Sequence, residues 1–478
     1  MKRFYILALS GLLLNGCTTA TDFAQPYLEF FKTNAYKTQA PKQIDQNPMS
    51  NWWDRIQDEQ ISQNVDTLLT QNLALKQGFE RIQQAQESVN IIRGGKSPTL
   101  GIDLQGGRSF ENSSTTGSRA FSNTLSTSLT SSWQLDLFGK ISDQERSAQS
   151  SLEATQYDQE ALKHSLVAEL VTKHVAVATY QKLLSIAQKN INNRKQVLNL
   201  VKRRYNGGVA NTTTGDMYAA QSALTSTKAD AHDFERILNE NLYAIDVLLG
   251  QTPKTTKTTG KNYTLTPSNI NVAHCLPMDL LDRRPDLKSS ALRLQASKFD
   301  VDIAVADLYP SLSLSGALGF SGNDDSQFFT ADKLAGSILG AITTRLFEGD
   351  TLRSNIRLEK SEAREMSLAY SETILNAITE VETALMANDH LKQQIKHQKR
   401  SLNALKNSET FAKNRYENGL QTMQNYLDIQ QNKYLAEQKL YQLYQSHWDN
   451  RIALYLALGG DWFNNEEKAD ACTQGTTP

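Results

Sequence analysis

The sequence predicts a mostly α-helical, internally duplicated chain that contributes strands to a membrane β-barrel. Residues repeat at a constant offset, apolar and polar residues alternate strand-like within each repeat, and each repeat holds a long heptad-patterned stretch.

The repeat can be followed position by position. Leu75, Arg81, Gln83, Val89, Ile91, Pro98 and Leu100 are matched by Leu287, Arg293, Gln295, Val301, Ile303, Pro310 and Leu312, each 212 residues later. Arg204-Tyr205 matches Arg415-Tyr416 at an offset of 211, and Phe138-Gly139 is answered by Phe347 and Gly349. An offset held over so much chain indicates a duplicated unit of roughly 210 residues. The expected division is a signal segment 1–16, an arm 17–50, a first repeat 51–262, a second repeat 263–460 and a tail 461–478.

Lys2-Arg3 and the apolar run Phe4 to Leu14 have the form of a signal segment, too short to cross a bilayer. Leu14-Asn15-Gly16-Cys17 resembles a bacterial lipobox, which implies cleavage before Cys17 and its acylation. Asn15 is unusual at its position, and Thr18 after the cysteine implies sorting to the outer membrane. A polar arm with Pro26, Pro41 and Pro48 follows. A helical pattern then opens at Trp52-Trp53 and runs to about Arg93, where Gly94-Gly95 and Pro98 end it.

From Leu125 to Leu137 the odd positions are mainly Leu and Trp and the even ones Ser, Thr, Gln and Asp, the period of a strand with one apolar face. Leu100, Ile102 and Leu104 alternate in the same way before a Gly, Ser and Asn-rich loop expected from Gly106 to Ser118. The second repeat places Leu312, Leu314, Leu318 and Phe320 on a strand, with a less regular one from Leu334 to Leu346. Lys140 to Tyr205 contains no proline or glycine, and Leu170, Val177, Leu184, Ile191, Leu198 and Tyr205 recur every seven residues. Such a helix is about 100 Å long and its seam demands a partner. Val381, Ile395, Leu402 and Tyr416 continue that phase in the second repeat, interrupted by Asn388 and Glu409. Turns at Gly207-Gly208 and Gly419 lead into returning helices, Asp216 to Leu249 and Thr422 to Leu458, so two coiled-coil hairpins are expected. Gln251 to Asn262 links the repeats.

Composition narrows the function. With 50 Lys plus Arg against 51 Asp plus Glu and no basic cluster, no nucleic-acid partner is expected. Cys275 and Cys472 are consistent with a disulfide or with two thiols. No nucleophile elbow, phosphate loop or zinc-protease motif occurs, and His390 with His397 reads as a solvated helix face, so neither an enzyme nor a cofactor is expected. Four strands cannot close a membrane barrel, so chains must pool them: two chains give eight strands and three give twelve.

Several segments carry a resemblance that spans nearly the whole chain beyond Cys17. They are Trp52-Trp53, Trp133 to Lys140 (WQLDLFGK), Asp282 to Leu287 (DRRPDL), Leu308 to Gly316 (LYPSLSLSG) and the two Arg-Tyr-x-x-Gly copies. The chain resembles outer-membrane factors of the TolC/OprM type, in the lipoprotein (NodT) branch that serves RND-type tripartite efflux systems. The resemblance implies a homotrimer with a 12-stranded β-barrel in outer-membrane lipid and an α-helical barrel reaching through the periplasm. It also implies that the chain is the exit duct for an inner-membrane RND transporter and a periplasmic adaptor. A type I protein-secretion channel and a structural coiled-coil lipoprotein stand as alternatives.

Site residues follow by the same route. In such proteins acidic rings pinch the periplasmic end shut, and a tyrosine and a basic residue tie neighbouring helices. Asp428 falls on the ring aspartate and Tyr416 on the linking tyrosine, while Asn425 and Gln421 stand where some members carry a second Asp and an Arg. In the first copy the counterparts are Tyr205 and Asp216, the latter two residues beyond the position held by Thr214. One ring of three carboxylates and ties made of neutral hydrogen bonds are therefore expected. Gly207, Gly208, Gly419 and Leu420 correspond to the adaptor-docking tips. Read as residues alone, Asp428 suits a solvated face, Tyr416 a heptad core, and the glycines a turn.

Overall fold

Each repeat folds in one order: helix, two antiparallel strands, a long helix, a tight turn, and a helix about half as long. The computed structural model describes residues 53, 58–112, 119–209, 212–253, 284–322 and 328–459. The signal segment, Cys17, the arm, Trp52, most of the linker, the start of the second repeat with Cys275, and the tail with Cys472 lie outside the described residues.

The helix expected from Trp52 to Arg93 is two helices, α1 (Glu59–Gln71) and α2 (Leu73–Gly94). Asn72 divides them. Its Oδ1 accepts from the amides of Ala74 and Leu75 at 2.9 and 3.1 Å, and its Nδ2 donates to the Leu248 carbonyl at 2.7 Å. An asparagine side chain that satisfies main-chain groups locally ends one helix and caps the next.

Strands β1 (Thr99–Asn112), β2 (Arg119–Leu135), β3 (Ser311–Gly322) and β4 (Leu334–Thr343) form one antiparallel sheet in that order. The loop expected from Gly106 is strand as far as Asn112, with Gly106 opposite Leu125 and Asn112 opposite Arg119. Its small and polar residues disguised a ladder that needs no bulk on its polar side. β4 ends at Thr343, short of the expected Leu346. The register puts Ile102, Leu104, Leu129, Leu318, Ile338 and Ile342 on one face, and Ser126, Ser128, Thr130, Ser313 and Ser315 on the other. No described residue covers the apolar face: Leu104 is 79% exposed. β1 and β4 are both open edges.

Asp136 fixes the passage from sheet to helix, accepting from the amides of Ile141 and Ser142 and from the Ser142 hydroxyl at 3.0, 2.8 and 2.6 Å. α3 (Lys140–Asn206) then runs 67 residues, about 100 Å. No single partner is as long. α4 (Thr214–Leu248) covers its far half, and α2 and α5 (Pro285–Ala306) cover the half near the sheet. The second repeat closes with α6 (Thr351–Glu417), also 67 residues, and α7 (Met423–Ala457). Leu170, Val177, Ile191 and Leu198 are buried as the heptads require. Leu184 is only half-buried beside a fully buried Leu183, and Tyr205 is 42% exposed, so the seam drifts off its first-repeat phase.

The Arg284 segment does more than start a helix. Pro285 takes the first position of α5, while Arg284 binds Asp286 with two nitrogens (3.0 and 2.7 Å), Glu380 on α6 at 2.6 Å and the Ala457 carbonyl ending α7 at 3.2 Å. One guanidinium thus joins three helices where the two repeats meet. The duplication also persists in the backbone: positive-φ glycines pair as Gly139 with Gly349, Gly208 with Gly419, and Gly250 with Gly459.

Candidate functional site at the hairpin turns

Both hairpins turn by the same hydrogen bonds. The Val209 amide donates to the Arg204 carbonyl at 3.0 Å and that of Gly208 to Tyr205 at 3.1 Å; Leu420 donates to Arg415 at 2.8 Å and Gly419 to Tyr416 at 3.0 Å. This Schellman ending needs a left-handed residue just past the cap, and Gly208 (φ 65°) and Gly419 (φ 75°) supply it. Gly207 has φ −83°, an ordinary conformation, so the backbone requires only the second glycine of that pair. Beyond the glycines, Val209 and Leu420 stand 42% and 64% exposed and give each turn an apolar tip.

Tyr416 is buried, stacked on Tyr426 with ring centroids 5.8 Å apart. Its tie is not neutral. Arg204, from the first repeat, lies with Cζ 4.9 Å from the Tyr416 ring centroid and donates Nη1 to the Tyr416 carbonyl at 2.9 Å. A cation over an aromatic face combined with a charge-assisted hydrogen bond is stronger than the neutral bond expected from Gln421. Gln421 instead buries its Nε2 with no hydrogen-bond partner. Burial pushes the Tyr416 phenol up, partly offset by Arg204, and burial with Glu409 nearby pushes Tyr426 up to about 12. Both phenols therefore stay protonated donors at physiological pH.

A polar layer continues along the helices. Gln430 Nε2 donates to the Tyr426 hydroxyl at 2.9 Å and to Glu409 at 3.4 Å, and Lys433 pairs with Glu409 at 2.7 Å. Glu409, which merely interrupts the heptads in the sequence, anchors this layer. A groove of about 610 Å³ between α3 and α6 opens above it, lined by Asn193, Arg203, Lys413, Glu417 and Tyr426 among others.

The acidic candidates divide. Asp428 is exposed on α7 and accepts from Gln424 at 3.0 Å; Asn425, three residues earlier, shares its face. The Thr422 hydroxyl caps the Asn425 amide at 3.4 Å. Asp216 is committed to a capping box, its carboxylate accepting from the Thr213 amide and hydroxyl at 2.8 and 2.9 Å while its amide donates back at 3.2 Å. Counted from the helix starts, Asp216 and Asn425 hold the same third position. The two-residue displacement in the sequence is thus a longer first turn, not a lost counterpart. Tyr205 is exposed, its hydroxyl accepting from Thr214 at 3.3 Å.

The sequence shows Arg204 and Arg415 as a repeated pair but not that one of them reaches sideways. Arg415 stays within its own hairpin, donating to the Leu420 carbonyl at 3.2 Å and lying 5.6 Å from the Phe411 ring centroid.

Known proteins share this architecture. The sequence profile described as "Outer membrane efflux protein" matches residues 64–251 and 276–460, one block per repeat. "Pyoverdine export outer membrane protein OpmQ" of Pseudomonas putida is 26% identical, covering 97% of this chain and 98% of its own length. "Nodulation protein T" of Rhizobium leguminosarum bv. trifolii is 24% identical with the same coverage. Among solved structures, the outer-membrane channel OprN superposes with a TM-score of 0.79 at 28% identity, covering 93% of this chain and 100% of its own. The Campylobacter jejuni CmeC outer membrane channel has the same fold, with a TM-score of 0.79 at 22% identity over 92% of this chain and 98% of its own.

Proposed function

The chain belongs to the outer membrane efflux protein family, and we propose that three copies form the outer-membrane exit duct of a tripartite efflux pump. An inner-membrane RND transporter and a periplasmic adaptor would deliver its cargo. The observation that carries this proposal is the sheet: four strands with a bare apolar face and two open edges satisfy their main-chain groups in lipid only by closing with the sheets of other copies. Twelve strands leave a lumen that the Ser and Thr face would line.

The helices support the same assembly. Arg204 of the first repeat ties to Tyr416 of the second inside one chain. The equivalent tie, Arg415 to Tyr205 of a neighbouring copy, would close a ring of alternating repeats, as a heterologous interface with rotational closure requires. In that ring Asp428 would contribute one carboxylate per copy to a periplasmic constriction, and Val209 and Leu420 beside Gly208 and Gly419 would face the adaptor. Cys17 would carry the lipid anchor. The duct performs no chemistry of its own, and its cargo is selected at the transporter. The names of relatives point the same way, since one is a pyoverdine export protein and another, in Escherichia coli, a cation efflux protein.

Planar-bilayer recording tests the proposal. The purified protein is expected to conduct as an assembly of three chains, each of 53.4 kDa less its signal segment. Asp428→Asn is expected to lower cation preference, and Cys17→Ser to remove the acyl mass. A monomer without conductance would sink the duct, and unchanged selectivity would place the ring elsewhere.

A further inference from the structure

Three helices of the first repeat have copies of equal length in the second: α2 and α5 have 22 residues, α3 and α6 67, and α4 and α7 35. Their first residues, Leu73 and Pro285, Lys140 and Thr351, Thr214 and Met423, set offsets of 212, 211 and 209. Two contacts are copied with the helices. α2 lies on α3 as α5 lies on α6, and α3 pairs with α4 as α6 pairs with α7. Two others are not. α3 also packs on α5 and α7, whereas among the described residues α6 packs extensively on no helix in place of either. By the repeat, the helices due at those places are a second α2 and a second α4.

Side chains mark the same two flanks. α6 exposes Leu358, Leu375 and Met386, whose counterparts on α3 are the half-buried Ser147 and the buried His164 and Val175. α4 exposes Tyr218, Tyr243 and Val247; their counterparts on α7, Leu427, Ile452 and Leu456, lie in or against apolar clusters shared with α3. What is bare on one repeat is covered on the other, on both sides of the missing contact. The covered version also shows the register. α5 is held to α3 by Ser147 to Asp300 at 2.8 Å, Lys140 to Asp307 at 2.5 Å, and Asp158 to Ser289 at 2.6 Å and to Arg293. None of the three acids is copied: Ala369 stands for Asp158, Ser88 for Asp300 and Gly95 for Asp307. Leu358 stands for Ser147 and Leu368 for Tyr157, so apolar area takes the place of those ties.

We propose that α6 of each copy docks against α2 and α4 of the next, in the register of the α3–α5 and α3–α7 contacts, which sets Leu358 of one copy beside Ser88 of its neighbour. The contact is directional, as a heterologous ring requires. The docking rests on the assembly proposed above and assigns the surfaces that make it. S88C/L358C in a chain also carrying C275S and C472S, oxidised with copper phenanthroline in outer-membrane fractions, tests the register.

Covalent dimers and trimers are expected on a non-reducing gel, in at least about tenfold higher yield than from Q77C/L358C. Gln77 lies on the same face of α2 but about 16 Å along the helix from Ser88, and disulfides span only about 7 Å between Cα atoms. Chains carrying S88C alone, co-expressed with chains carrying L358C alone, should give dimers and no trimers, because each trimer then holds one matched seam. Equal yields from S88C/L358C and Q77C/L358C, no crosslinked species, or a bond that shifts the monomer band would overturn the docking. The reduced S88C/L358C protein is also recorded in planar bilayers. Absent conductance refutes the duct, whereas normal conductance without the Ser88–Leu358 crosslink refutes only the docking.

Discussion

The helices α3 and α6 have the same length, 67 residues, and end in the same turn, yet α3 buries 23 residues and α6 only 10. α3 has two neighbours along each half within the chain, α4 and α7 toward the turn and α2 and α5 toward the sheet. α6 lies at the border and leaves Leu358, Leu368, Leu375, Met386 and Phe411 exposed, whereas Tyr205 is the only large apolar or aromatic side chain that α3 exposes strongly. Duplication reproduces a backbone; the side chains then record what lies beside each copy. An apolar flank on one repeat and a covered flank on the other is the pattern expected when copies of the chain continue the ring.

The ties test this comparison most severely. Arg204→Ala removes a charge-assisted contact of about 2 kcal/mol, and the ratio of open to closed channels is expected to rise by about thirtyfold for each tie that opening breaks, read in single-channel recording. If α6 meets the next copy as α3 meets α6, Arg415→Ala should do the same. An effect of Arg204 alone would mean the ring alternates in composition but not in contact.

The returning helices differ in the same sense. Asp449 on α7 is largely buried, with one carboxylate oxygen unpartnered, and burial raises it to about 6; Glu240, at the corresponding place on α4, is exposed and pairs with Arg236 at 2.6 Å. A carboxyl with a raised folded pKa stabilises the fold fully below its unfolded value, and that contribution is lost as the pH rises through about 6. Asp449→Asn is therefore expected to raise stability by about 2 kcal/mol at pH 7.5 and to leave it unchanged at pH 3.5, while Glu240→Gln does little at either. Thermal unfolding at the two pH values decides between burial and solvation.

Smaller effects probe what the repeats share. Gly208→Val and Gly419→Val each force a β-branched residue into a left-handed conformation and should cost about 1–2 kcal/mol, equally at the two turns. Unequal costs in denaturant unfolding would show that the turns differ beyond their backbone. Asp216→Ala should cost about 1 kcal/mol through its capping box, and Asn425→Ala only a few tenths, because the Asn425 side chain makes no cap.

Much of the fold was legible because its signals are periodic. Period two marked the strands, period seven the long helices, and a constant offset the duplication. The exceptions were positions where a side chain overrides a pattern. Asn72 satisfies three main-chain groups and breaks a helix whose apolar spacing runs through it. Gly106-Gly107 and the polar residues after them interrupt the apolar alternation that advertises a strand. The resemblance placed Asp428 and Tyr416 beside the second turn, whereas Arg204 as the partner of Tyr416 depends on which helices lie side by side. That adjacency is a long-range fact that no local pattern encodes.

Helices about 100 Å long, with no proline or glycine to hinge them, have a mechanical consequence. Each is a lever. A tilt of about 5° about the level of Glu380 carries the Tyr416 end, about 54 Å further along the helix, through about 5 Å, roughly half the ~10 Å diameter of a helix. The belt where Arg284 joins three helices is the natural fulcrum, and the turns lie at the tip of the long arm. A force there works with the greatest mechanical advantage, so a few weak contacts at the tips can restrain a rod whose bending would require breaking many hydrogen bonds.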